Sequence, residues 1–236
     1  ISSFLPGQAR ADVHDQVLAT TIRLSRETED SDAWRSYTRA FIAEFAARGG
    51  DEYEATVRDF ASSENPDIAW RARRALAARG LVDADAIEAW RSADGSGEAA
   101  RMSVEALASL PLEDARSRAW ESVYSESLSN DFLTATLACL NASSWEGDSG
   151  LDSAVDRLRP YWEAHTIGMA LRYANGVLAY GLDIDREGSV ERSVGLLRGW
   201  LDAHGDAPAQ LRRIVLEHLD AFERDERVQR RWGSGQ

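Results

Sequence analysis

Residues 112–140 constrain the fold more than any other stretch. Ala115, Ala119 and Val123 fall at four-residue steps and line one face of a helix. Leu133, Leu137 and Leu140 line one face of a second helix. Between them, Leu128-Ser129-Asn130-Asp131 supplies residues that cap a helix start. A single hairpin of this kind cannot bury its own apolar face, so it has to stack on more of the same. The rest of the chain offers more of the same. Val13, Val17, Thr21 and Leu24 make a stripe, as do Trp34, Tyr37, Phe41 and Phe45, and then Ile68, Ala72 and Leu76. Further along come Ile167, Leu171, Ala174 and Leu178, then Val190, Val194, Leu197 and Leu201, then Leu211, Val215, Leu219 and Phe222. No run of β-branched and aromatic residues alternates with period two. The expectation is an all-α array of antiparallel helical hairpins, an architecture that holds or encloses other molecules.

Punctuation fits this reading. Asn65-Pro66 suits an N-cap and a first helical turn. Capping boxes are expected at Asp51 with Glu54 and at Asp85 with Glu88. Gly49-Gly50, Gly80 and Gly95 fall where helices should stop. Pro66, Pro111, Pro160 and Pro208 recur at intervals of 45, 49 and 48 residues. That is close to the roughly 40–47-residue period of HEAT-like helix pairs, so the array is expected to be a degenerate α-solenoid. Residues 146–153 are expected to form an exposed loop. No linker divides the chain, which reads as one helical domain over 12–231, with an edge or linker at 1–11 and a tail at 232–236.

Composition removes several functions. A net charge of −13 leaves no basic excess for a phosphate backbone, so nucleic acid is not an expected partner. No apolar run nears the roughly 20 residues that span a bilayer, and residues 1–10 lack a basic region followed by an apolar core, so neither membrane nor signal peptide is expected. The lone Cys139 forms no internal disulfide and fits a reducing, cytoplasmic setting. All 27 basic residues are Arg. The start at Ile1 and the close on Gly233-Ser234-Gly235-Gln236 read as the edges of a fragment.

Catalytic patterns are missing as well. His14, His165, His204 and His218 are scattered, with no two within five residues, so the His-Glu-x-x-His arrangement that binds zinc across one helical turn does not occur. There is no phosphate-binding Gly-rich loop and no Gly-x-Ser-x-Gly. No catalytic residue, metal ligand or cofactor site is assigned. The eight Trp are more informative. Trp34, Trp70, Trp90, Trp120, Trp162 and Trp200 sit in predicted helices and are expected to fill seams between them, Trp120 in particular.

Four segments, in order, resemble the C-terminal helical domain of the aminopeptidase N family of zinc metallopeptidases, the actinobacterial type above all. Ser31-Asp32 opens a helix running through Arg39 to Ala47. Asp67-Ile68-Ala69-Trp70-Arg71, leading to Ala75-Leu76-Ala77-Ala78-Arg79-Gly80, is similar to the family's Asp-Leu-Arg-Trp-Arg helix that ends in Gly, with Ala69 in place of the first Arg. Ala115-Arg116, Ala119-Trp120 and Leu128-Ser129-Asn130 resemble its Lys-x-x-Ala-Trp helix and following Leu-Ser-Asn, with Arg116 for Lys. Leu211-Arg212-Arg213, then Glu217, Asp220 and Arg224, resemble its closing Leu-Arg-Arg-x-x-x-Glu-x-x-Asp helix. Leu140-Asn141 stands where the family more often has Gly-Phe.

The resemblance implies a bowl of stacked hairpins that caps the active site of a zinc aminopeptidase and limits the size of its peptide substrate. The zinc, its ligands and the catalytic Glu belong to a separate domain of the parent chain, so the partners implied are that domain and a peptide. This chain alone is expected to be inactive. Arg71, Arg73 and Arg74 cannot all face one acidic neighbour, because successive helical positions point about 100° apart. At least one of them should then be free to face the cavity, so Arg71 and Arg74 are the candidate substrate-binding residues, for the C-terminal carboxylate of a bound peptide; the competing reading is ordinary salt-bridging on the surface. The alternative is a stand-alone helical-repeat scaffold that binds a protein partner along its groove.

Overall fold

The computed structural model describes residues 7–28, 31–125, 128–140, 150–180 and 189–233. They form thirteen α-helices and one short 3-10 turn, and no strand occurs among them, as the periodicity requires. The chain divides into two compact units, residues 11–147 and residues 148–236 together with 1–10. The boundary falls inside the 146–153 segment.

The first unit contains most of α1 (Gly7–Glu27), then α2 (Asp32–Arg48), a 3-10 turn (Asp51–Tyr53), α3 (Glu54–Ala61), α4 (Pro66–Ala78), α5 (Ala84–Ala93), α6 (Gly97–Ser109), α7 (Glu113–Val123) and α8 (Asn130–Leu140). Helices α2, α4, α6 and α8 pack in series, each on the next. The odd-numbered helices flank this row, α3 on α4, α5 on α6, and α7 on both α6 and α8.

Helix α4 lies deepest. Neighbours cover it from several sides, so Ile68, Ala69, Trp70, Ala72, Ala75, Leu76, Ala77 and Ala78 are all buried. A helix that is apolar around most of its girth belongs in a core, and its alanines let adjacent backbones approach. Phe41, Ile42 and Phe45 of α2 and Val57 of α3 meet Ile68 and Leu76 in the main cluster. Both ends of α4 are built as the sequence implies. Asn65 Oδ1 accepts from the backbone N–H of Asp67 at 3.1 Å, and Pro66 occupies the first turn. At the other end Gly80 takes φ 68°. There Leu81 N–H bonds Leu76 O and Gly80 N–H bonds Ala77 O, both at 2.9 Å, a Schellman stop that only a residue tolerant of positive φ closes cheaply.

The 112–140 hairpin also forms. Ala115, Ala119, Val123, Leu133, Leu137 and Leu140 are all buried. Arg116 is buried too, and its Nη1 donates to Leu140 O at 3.2 Å, placing a cation on the last carbonyl of α8.

The second unit contains α9 (Leu151–Asp156), α10 (Leu158–Ala164), α11 (Ile167–Tyr180), α12 (Ser189–Ala203) and α13 (Ala209–Gly233). The long α13 packs on α11 and α12, while α9 touches α10, α11 and α12. The expected stripes of α12 and α13 are buried along their length, from Val190 to Leu201 and from Leu211 to Phe222. Three rings stack in this core: Tyr161 lies between His165 at 3.8 Å and Tyr173 at 4.0 Å, centroid to centroid. Tyr173 Oη donates to Ala154 O at 2.8 Å. Arg212 Nη1 donates to Leu201 O and His204 O at 2.9 and 2.7 Å, closing the C-terminus of α12.

Several local expectations are corrected. The buried line of α1 runs through Leu18, Ile22 and Ser25, one position on from the predicted stripe, and Val13 is exposed. Ser25 Oγ and Thr38 Oγ1 share a hydrogen bond of 2.8 Å, which turns that face towards α2. Ile167 is exposed as well. No box forms at Asp51, because the 3-10 turn there makes Tyr53 the N-cap of α3. Helix α5 is capped by Asp83, not Asp85: the Asp83 carboxylate accepts from Ala86 N–H at 2.9 Å. Within the expected loop, Leu151 is already helical and buried, while residues 146–149 lie outside the described residues.

Candidate functional site

The Arg-rich run of α4 divides between two sides of the helix. Arg73 is held away from Arg71 and Arg74. Its guanidinium carbon lies 4.9 Å from the Trp70 ring and 5.3 Å from the Trp90 ring, and its Nε donates to Ala61 O at 3.0 Å. Trp70 Nε1 donates to Asp94 Oδ2 at 2.9 Å, which fixes the indole from its far edge.

Arg71 and Arg74 line one polar cleft of about 230 Å³ between α4 and α6, with Asp67, Trp70, Arg101, Met102 and Glu105. Two carboxylates organise it. Asp67 accepts from Arg71 Nε at 2.9 Å and from Arg39 Nε of α2 at 2.8 Å. Burial works to raise the Asp67 pKa, but the bonds from Arg39 and Arg71 outweigh it and hold the carboxyl below its ordinary range. Glu105 is the more enclosed of the two and accepts from Arg74 Nη1 at 3.0 Å and from Arg101 Nη1. Arg101 also pairs with Glu98, and that hydrogen bond raises its pKa.

Each carboxylate thus holds two arginines, and the arginines keep capacity in reserve. Among the described residues Arg71 uses only its Nε–H on an oxygen and Arg74 only its Nη1. A guanidinium has five N–H donors in a rigid fork, so both have donors left for an anion. The cleft can hold a carboxylate, but it offers no nucleophile. Cys139, with its Sγ 4.0 Å from Arg74 Nη1, is buried, and burial pushes its thiol up to about 11. It is a neutral thiol at physiological pH.

Sequence reasoning paired Arg71 with Arg74 but missed Arg101, Glu105 and the part played by Asp67. Asp67, Arg71 and Arg74 lie at i, i+4 and i+7, which is one helix face and was visible in the chain. That α6 brings Arg101 and Glu105 opposite them depends on the α4–α6 register, which no local pattern encodes.

The expectation for tryptophan is met in part. Trp70 and Trp200 are buried at 2% and 4% exposure, and Trp34 and Trp90 pack against the core from its edge. Trp120 is half-buried and stacks on Tyr124 at 5.9 Å, centroid to centroid. The small residues Ala115 and Ala119 on the same helix are more fully buried.

A second cavity, of about 190 Å³, lies on the other flank of α6. Val104, Leu107 and Ala108 of α6 and Ala115 and Ala119 of α7 form its apolar walls. Arg118 and Ser122 of α7 and Thr136 of α8 are its polar members.

The histidines do not converge. His14 bonds Glu44, and His165 and His204 each bond the backbone carbonyl four residues earlier. Among the described residues no three His, Cys, Asp or Glu side chains gather where they would hold a metal ion, so the zinc that the resemblance implies has no ligand set there. Nor is any described helix long and apolar enough to cross a membrane. Compared with models of known protein families and with curated proteins, the chain matches none.

Proposed function

We propose that this chain is the helical C-terminal domain of a zinc aminopeptidase of the aminopeptidase N type, and that it caps and shapes the peptide chamber while another domain of the parent carries the zinc and removes N-terminal residues. The observation that carries the reading is the fate of the family-like Asp67–Gly80 segment. It becomes a capped, deeply buried helix that presents Asp67, Arg71 and Arg74 to one cleft with donors to spare. The serial packing of α2, α4, α6 and α8 also supports an array of hairpins, the architecture this function uses. In this reading Arg71 and Arg74 receive the C-terminal carboxylate of a longer peptide, and the intact protein works in the cytoplasm.

The test uses the intact parent enzyme. Arg71→Ala and Arg74→Ala are made singly, because each leaves its carboxylate a second arginine and so strands no charge. Losing one charge-assisted hydrogen bond, worth about 1.5–3 kcal/mol, raises KM for a long peptide by about tenfold or more. KM for an amino-acid anilide, too short to reach the cleft, stays unchanged. Equal effects on both substrates, or none on either, overturn the assignment of these arginines.

A further inference from the structure

We infer that Glu105 makes the polar cleft between α4 and α6 selective for a last residue with a single negative charge: a peptide end with a free C-terminal carboxylate and no acidic side chain beside it. This selection rests on the peptide reading of the cleft and adds a specificity-determining residue to it.

The unused donors make one seat. Arg71 and Arg74 stand three positions apart on α4 and so share a face. Arg71 spends its Nε on Asp67 and Arg74 its Nη1 on Glu105, and among the described residues their other N–H groups have no oxygen partner. Arg101 offers nothing comparable, because its Nε and Nη2 go to Glu98 and its Nη1 to Glu105. Two adjacent guanidiniums fit the two oxygens of one carboxylate.

The charge balance allows one anion. Among the described residues lining the cleft, three arginines face two carboxylates, a surplus of one positive charge. Just outside the lining, Arg39 sits on Asp67, while Glu98 and Asp131 both act on Arg101. The surroundings therefore add no further positive charge. One carboxylate uses the surplus. A second one entering beside it finds no unspent cation and meets Asp67 and Glu105 as like charges.

Glu105 is the stronger of these two barriers. It is 8% exposed and lies 3.0 Å from Arg74 Nη1, so its charge is poorly screened and acts at close range on whatever Arg74 holds. At about 230 Å³ the cleft is larger than the roughly 150 Å³ that holds a benzene ring, so a terminal carboxylate and the side chain of the same residue enter together.

The 236-residue chain is titrated, by ligand-observed NMR and calorimetry, with Ala-Glu-Ala-Ala-Gln, its isomer Ala-Gln-Ala-Ala-Glu, and the C-terminal amide of the first. The two isomers carry the same net charge, so general repulsion from a chain of net charge −13 weighs on both alike. The isomer ending in Gln binds about tenfold more tightly than the one ending in Glu. It also binds about tenfold more tightly than its own amide. Glu105→Gln removes the difference between the isomers and keeps the preference for acid over amide. If circular dichroism shows that Glu105→Gln does not fold, Asp67→Asn, which removes the other negative charge of the lining, narrows the difference, and an undiminished difference there overturns the inference. Equal binding of the isomers, with the acid still preferred to its amide, overturns the selection and leaves the peptide reading standing. A folded Glu105→Gln chain that still prefers the isomer ending in Gln removes Glu105 as the selecting residue. Equal binding of acid and amide, or no binding of any of the three at millimolar concentration, overturns the peptide reading of the cleft as well.

Discussion

Helix α6 separates two concavities that satisfy their polar groups in opposite ways. On the α4 side, Asp67 and Glu105 each accept from two arginines, so both carboxylates are paired within the protein. On the α7 side, one arginine has no partner among the described residues and one buried threonine hydroxyl has no bond. The first arrangement is a fixed electrostatic frame, whose arginines are positioned by the carboxylates and keep further N–H donors for a ligand. The second leaves the desolvation of a buried hydroxyl uncompensated. The mutational responses of the two flanks should therefore differ in kind.

The largest contrast lies between two tryptophans. Trp70, buried beside the polar cleft, anchors Arg73 and Asp94, so Trp70→Ala should cost about 3–5 kcal/mol, close to the whole stability of a marginal domain. Trp120→Ala, on a half-buried ring near the apolar cavity, should cost about 1 kcal/mol. Urea unfolding of both variants checks this, and equal losses would place Trp120 in the seam.

Acid titration probes the frame itself. The folded-state pKa of Asp67 is depressed below its ordinary 3.8. Its contribution to stability is therefore complete above that value and is lost as pH falls through the lower, folded value. Thermal melts below pH 4 should show a shallower decline in Asp67→Asn than in the unaltered chain, while near neutrality the variant is the less stable of the two. Parallel acid limbs would mean that the two arginines contribute nothing to Asp67 ionisation.

The smallest effect is expected at the other flank. Thr136→Val replaces an unbonded buried hydroxyl with a methyl and should change stability by less than about 1 kcal/mol, in the stabilising direction. A loss of several kcal/mol would show that the hydroxyl is already engaged.

Much of this architecture was legible in the chain, because amphipathic periodicity reports directly on burial. The lines through Ala115, Ala119 and Val123, through Val190 and Val194, and through Leu211 and Val215 are all in the core. Errors arose where a neighbouring helix decided between adjacent faces. The α1 stripe moved by one residue because Ser25 meets Thr38 across the helix pair. Capping at Asp83 in place of Asp85 is a similar choice between two competent residues, and sequence alone does not rank them. For the polar cleft, the face shared by Asp67, Arg71 and Arg74 was readable as helical spacing. Arg101 and Glu105 were not, because their place opposite that face depends on tertiary register. The apolar cavity had no local signature: Thr136 reads like any helical threonine until its missing partner is seen.

The most direct measurement is to isolate the native protein that contains this sequence, determine its zinc content, and assay release of N-terminal amino acids from peptides with and without a chelator. The account predicts one catalytic zinc per chain, held by a His-Glu-x-x-His segment outside these 236 residues, and chelator-sensitive release. A native protein with neither zinc nor peptidase activity would contradict it and would favour a helical scaffold that binds a protein partner.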